Sequence, residues 1–248
     1  TVAAAMHFGL MGALCGEAVG ALAGGAVMRA SLQRLYPADG KDGSIYSHRA
    51  SRAGLLVFFG GAFVSAPFYL NRPVAALAFS PAEVGTFGLL LVFVGALQAV
   101  TAICDQVIGP RLIHWQHGGM SMAQQKHRFF LVIAALAALS LAAFGVIWIG
   151  TKLPLAAPIA DKYALTGAVL LPAAALAALN ITSTADWMLQ AHDRERIITI
   201  AAAENLAAFG VLTILVIAKS IGMETYIWGL AAAKLCQLGV QLAAIIRL

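Results

Sequence analysis

Residues 68–87 read FYLNRPVAALAFSPAEVGTF and set Asn71, Arg72 and Pro73 inside an otherwise apolar segment. Hydrocarbon disfavours a guanidinium by roughly 2.5–3.5 kcal/mol on insertion scales, so such a charge faces protein, a wet cavity or the nearer headgroups. Pro73 removes a backbone donor and bends the helix beside the charge, which a membrane tolerates where neighbours or water satisfy the freed carbonyl. Arg72 lies about 10 Å from Phe79 at helical rise. Its stem therefore either snorkels to a surface or turns inward, and the residues alone leave both open.

Working outward from this stretch, the whole chain carries the same signal. It has 248 residues, 61% hydrophobic and 11% charged, with a mean hydropathy of +0.86. That composition excludes an ordinary soluble domain. The apolar runs are about 20 residues long, and the two-residue alternation of a membrane β-barrel is absent. The expected fold is all-α: a polytopic transmembrane bundle of seven spans, at residues 2–28, 54–79, 86–104, 129–150, 163–181, 197–218 and 225–246.

Between the first two spans the sequence SLQRLYPADGKDGSIYSHRAS is polar and turn-rich, with Pro37, Asp39-Gly40 and Asp42-Gly43, and predicts a connecting loop. The domains expected are residues 1–29 as one helix, 30–53 as a cytoplasmic loop and 54–248 as a six-helix bundle. Arg29, Arg34, Lys41, Arg49, Arg52, Arg111, Lys126, Arg128, Arg194, Arg196 and Arg247 fall on one side of the membrane, and Lys152, Lys162 and Lys219 on the other. The positive-inside rule then makes the C-terminus cytoplasmic. The net charge of +5 has this topological cause and implies no nucleic acid.

Polar residues inside spans are the candidate site. The first span has a ridge of Gly12, Gly16, Gly20 and Gly24 that admits a close neighbour, with Glu17 beside it. Gln98, Thr101 and Asp105 share a face of the third span, and Lys234, Gln237 and Gln241 repeat that spacing in the last. Asn180 and Thr184 lie toward the end of the fifth, Glu204 and Asn205 within the sixth. Lys234 is too deep for an end anchor and predicts either a charged partner or a hydrated cavity.

Other motifs carry less. His114, His117 and His127 share a loop without a zincin pattern or an acidic ligand set, so no metal site is expected. Cys15, Cys104 and Cys236 show no paired spacing and read as packing residues. No phosphate-binding glycine loop and no nucleophile elbow occur, and no cofactor is implied.

NRPVAALAFSPAEVGTFGLLLVF (residues 71–93) resembles the segment joining the first two helices of one half of polysaccharide and lipid-linked oligosaccharide flippases. GPRLIHWQHGG (109–119) is similar to the proline-marked exit of that second helix. LNITSTADWMLQAHDRERIITIAAAENL (179–206) resembles the fifth helix, charged turn and sixth-span entry of such a half. The similarity covers residues 52–248 and points to the multidrug, oligosaccharidyl-lipid and polysaccharide exporter superfamily.

That resemblance implies two rocking bundles moving a lipid-linked sugar by alternating access in a cell membrane, the bacterial inner membrane being the expected one. Residues 1–29 would end a truncated N-terminal half, whose remainder would be a partner within the same chain. Arg72 and Lys234 would pair with the lipid diphosphate, lining one cavity. Asn71, Gln98, Gln237, Gln241 and Asn180 would bind sugar hydroxyls. A drug or metabolite antiporter of the same superfamily would instead use Glu17, Asp105 or Glu204 for ion coupling. A structural membrane subunit is a further reading. A glycosyl-transferring enzyme is disfavoured by outer loops of only about 6–12 residues, so no enzymatic activity is expected.

Overall fold

A computed structural model describes residues 41–154 and 157–248. The chain divides into two compact units, Thr1–Arg52 and Ala53–Leu248, and the architecture below is that of the second. Among the described residues every regular element is helical. They are α1 (Lys41–Ala78), α2 (Pro81–His117), α3 (Met122–Gly150), the short α4 (Ala157–Lys162), α5 (Gly167–Ala178), a 3-10 turn (Leu179–Ile181), α6 (Thr182–Ala191), α7 (Glu195–Ile217) and α8 (Met223–Ile246).

Among the described residues six segments are long and apolar enough to cross a bilayer: Gly54–Ala78, Pro81–Gln116, Met122–Gly150, Gly167–Ala191, Glu195–Ile217 and Met223–Ile246. The protein is a multi-pass, all-α membrane protein. Large apolar side chains point outward, among them Leu77, Val146 and Ile214, as lipid rather than water requires. The expected span at residues 2–28 lies outside the described residues.

Three expected boundaries shift. α1 is already helical at Lys41, where a loop to residue 53 was expected, because local turn signals yield to helix propagation from the apolar segment. The span placed at 86–104 continues through Asp105 to Gln116, since Asp105 finds partners inside the bundle. The span placed at 163–181 is Gly167–Ala191; its polar second half is buried against protein instead of leaving the membrane.

The turns follow from local chemistry. Ser80 caps α2 in a reciprocal box: the Glu83 amide donates to Ser80 Oγ at 3.4 Å and the Ser80 amide to Glu83 Oε2 at 2.9 Å. Pro81 opens the helix where its missing donor is harmless. Ser121 caps α3 through the Gln124 amide. Lysines cap two carbonyl ends, Lys219 Nζ donating to Ala78 O and Lys126 Nζ to Ile246 O at 2.8 Å. These contacts define a Ser80 end and a Gly118 end of the bundle.

Lipid is as apolar as leucine, so helices here associate through close packing and polar bonds rather than through water exclusion. The fourth span is the central one, with 61% of its hydrophobic window buried against 18–39% for the others. Ala173, Ala174, Ala177 and Ala178 let its neighbours approach. Two apolar clusters result. One, near the Ser80 end, gathers Phe87, Leu90, Leu170, Phe209, Tyr226 and Ile227. The other, near the Gly118 end, gathers Leu112, Phe129, Met188, Leu189, Ile198 and Ile245.

Candidate functional site: a polar layer between two apolar clusters

Between the two clusters the spans carry their polar residues. Asp105, only 4% exposed, projects from α2 toward α6. It accepts from Ser183 Oγ at 2.5 Å and from Thr184 Oγ1 at 2.6 Å. One turn of helix further, Asp186 Oδ1 accepts from Gln241 Nε2 of α8 at 2.6 Å, and that amide also reaches Thr182 O at 3.4 Å. Lys234 Nζ donates to Gln237 Oε1 at 3.1 Å. Asp186 lies within electrostatic reach of both Lys234 and Asp105.

Above the layer, toward the Ser80 end, lies a cavity of about 60 Å³. It has room for a few waters and none for a sugar. Asn71 from α1, Gln98 from α2, Asn180 from the 3-10 turn, Asn205 from α7 and Lys234 from α8 supply its polar lining. Phe68, Leu91, Val94, Phe209 and Leu230 supply its apolar walls. Lys234 sits near the middle of α8, about 17 Å of helix from either end.

Two of the lining amides differ in a useful way. Asn71 Oδ1 accepts from Tyr226 OH at 2.8 Å, which fixes both side chains at the roof of the cavity. Asn205 is 4% exposed and its Nδ2 has no partner among the described residues. An unmatched buried donor facing a cavity is a costly arrangement unless something enters to accept from it. The layer below holds two more atoms unmatched among the described residues, the donor Gln237 Nε2 and the acceptor Gln241 Oε1.

Of the residues singled out from the sequence, Asn71, Gln98, Asn180 and Lys234 converge on the cavity, and Gln237 and Gln241 fall in the layer beneath it with Asp105. Arg72 does not join them. The expectation that it lines one cavity with Lys234 is corrected: Asn71 and Arg72 are adjacent on α1, and with Asn71 turned inward Arg72 is exposed on the outer face. Glu204 is likewise exposed while Asn205 turns inward. Glu17 lies outside the described residues.

Asp186 and Ser183 were missed as site residues because the fifth span was ended at residue 181. A signal existed: Thr182 and Asp186 are four apart, as are Asn180 and Thr184, so the polar face runs on at helical spacing. Comparison with known proteins adds nothing to this picture: no family model, curated protein or solved structure matches the chain.

Proposed function

We propose that this protein is a membrane transporter that carries the polar headgroup of a lipid-linked saccharide across the bilayer by alternating access. The supporting observation is the mid-depth cavity in which the ammonium of Lys234, three further amides and the unpaired amide of Asn205 converge. An intramembrane charge aimed at a cavity is the ordinary mark of a transport path. The cavity also abuts a discontinuous span, where transporters commonly place their cargo. Lys234 supplies the charge for a phosphate, and the amides both donate to and accept from hydroxyls. The cavity is smaller than a sugar, so in this reading the helices separate to admit cargo.

In this reading the Gly118 end is cytoplasmic, since Arg111, Lys126, Arg128, Arg194, Arg196 and Arg247 cluster there, and the membrane is a bacterial inner membrane. The test is flipping of a labelled polyprenyl-diphosphate saccharide by the full chain in proteoliposomes. Lys234→Gln and Asn205→Leu each lower the rate about tenfold, the loss expected of one charge-assisted contact. Wild-type flipping by correctly inserted Lys234→Gln protein sinks the proposal.

A second reading keeps the fold and changes the cargo. The buried carboxyl of Asp105 and the half-buried one of Asp186 outnumber the single lysine of the layer, which favours a drug or metabolite antiporter coupled to protons or sodium. Its mark is substrate efflux driven by an imposed ion gradient and abolished in Asp105→Asn, with no saccharide flipping.

A further inference from the structure

On their exposed side α1 and α2 part to leave a groove of about 300 Å³. Val64, Phe68 and Tyr69 of α1 and Ala99 of α2 form its apolar walls, and Ser65 and Gln98 are its polar members. Arg72 follows Tyr69 by three residues and Ser65 by seven, so it stands on the groove's face of α1, one turn nearer the Ser80 end. It is exposed and has no hydrogen-bond or ion-pair partner among the described residues. Arginine stays charged in proteins. The guanidinium stands about 9 Å of helix below Ala78 with no carboxylate partner among the described residues, at a depth from which its stem reaches the headgroup layer and a counter-ion there.

The order of features along α1 identifies that counter-ion. Passing inward from the polar turn at Ser80 one meets Arg72, then Tyr69, then the apolar groove reaching Val64. A glycerophospholipid of the leaflet at the Ser80 end has the same order, phosphate near water and acyl chain beneath. We propose that this groove, with Arg72 at its upper end, is a binding site for an anionic glycerophospholipid. The guanidinium holds the phosphate through its planar fork, and one acyl chain lies between Phe68, Tyr69 and Ala99. The groove shares Val64, Phe68 and Gln98 with the cavity, so the bound chain covers the cavity's flank. A cargo phosphate loaded from the leaflet at the Gly118 end would meet the groove before the arginine, the wrong order for this site.

The experiment is native mass spectrometry of the full chain released from neutral detergent containing equal phosphatidylglycerol and phosphatidylcholine. The wild type retains phosphatidylglycerol preferentially. Arg72→Gln lowers that retention about tenfold, the worth of one charge-assisted contact, and Arg72→Lys keeps part of the preference. Ala99→Trp, which fills the groove, lowers retention of both lipids. Equal retention of the two lipids by the wild type overturns the proposal, as does unchanged phosphatidylglycerol binding in Arg72→Gln. When polyprenyl phosphate is added at a concentration equal to that of phosphatidylglycerol, its preferential retention overturns the proposal too, by making the groove the cargo's own port. The readout is lipid retention rather than flipping, so the site and the transport reading fail or stand separately.

Discussion

Thr184→Val tests whether Asp105 is held by its two hydroxyl donors. The substitution keeps the shape of the side chain and removes one donor at 2.6 Å, a separation typical of a hydroxyl bonded to a carboxylate. Thr184 is 0% and Asp105 4% exposed, so bulk water does not replace the lost bond. Hydrogen bonds to charged groups net about 1.5–3 kcal/mol, whereas interhelical bonds in membranes average about 0.6 kcal/mol. The carboxylate therefore puts Thr184→Val at about 2 kcal/mol of destabilisation. In an Asp105→Ala background the same change costs little, because no acceptor remains, and the double-mutant cycle gives a coupling of about 1.5 kcal/mol or more. The assay is reversible unfolding in mixed micelles with a denaturing detergent, followed by tryptophan fluorescence. Additivity of the two substitutions within about 0.5 kcal/mol refutes the reasoning.

Two further outcomes follow from local geometry. A Cβ added at Gly109 would stand 2.5 Å from Cδ2 and Cε2 of the Trp187 indole, a rigid ring that has to move bodily. Gly109→Ala is expected to destabilise by about 1–3 kcal/mol, and Trp187→Leu should relieve most of it in thermal unfolding. His192, beyond the end of the fourth span, has its Nε2 buried without a partner among the described residues. Burial holds its pKa below the usual 6.5, Asp193 opposing and Arg194 and Lys126 assisting. The unfolded chain then binds the proton more readily, so stability is full above the ordinary imidazole pKa and falls as pH drops through that value to the depressed folded one. His192→Asn should flatten the fall that sets in below the ordinary imidazole pKa of about 6.5; parallel pH profiles of melting for the two proteins count against it.

The sequence was most readable where one face of a helix is uniformly wet. The stripe of Lys234, Gln237 and Gln241 falls in the polar layer as its spacing implied, because α8 is one uninterrupted helix and a periodic pattern on it maps onto one face. Asp105 was read as the end of its span, yet it lies inside. Hydropathy registers a carboxylate and cannot register the two hydroxyls that make it tolerable, which come from residues nearly eighty positions away. Arg72 failed for a different reason. Neighbouring residues on a helix point about 100° apart, so with Asn71 turned into the cavity Arg72 falls toward the exposed side, and the sequence does not say which of the two turns inward. Asp186 was lost with the boundary: a cluster of Asn180, Thr182, Ser183 and Thr184 looks like an exit from the membrane until its partners on α2 and α8 are known.

The 3-10 turn at Leu179–Ile181 has a geometric consequence for everything after it. Each residue of a 3-10 helix advances by about 120° rather than 100°. Three such residues turn α6 by about 60° relative to an uninterrupted helix continuing α5. The fourth span is thus two helices joined out of phase. The upper piece packs its alanine face among the helices around the cavity; the lower presents Ser183 and Thr184 to α2 and Asp186 to α8. Converting the turn to regular α-helix would swing all three side chains together without altering a single one of them.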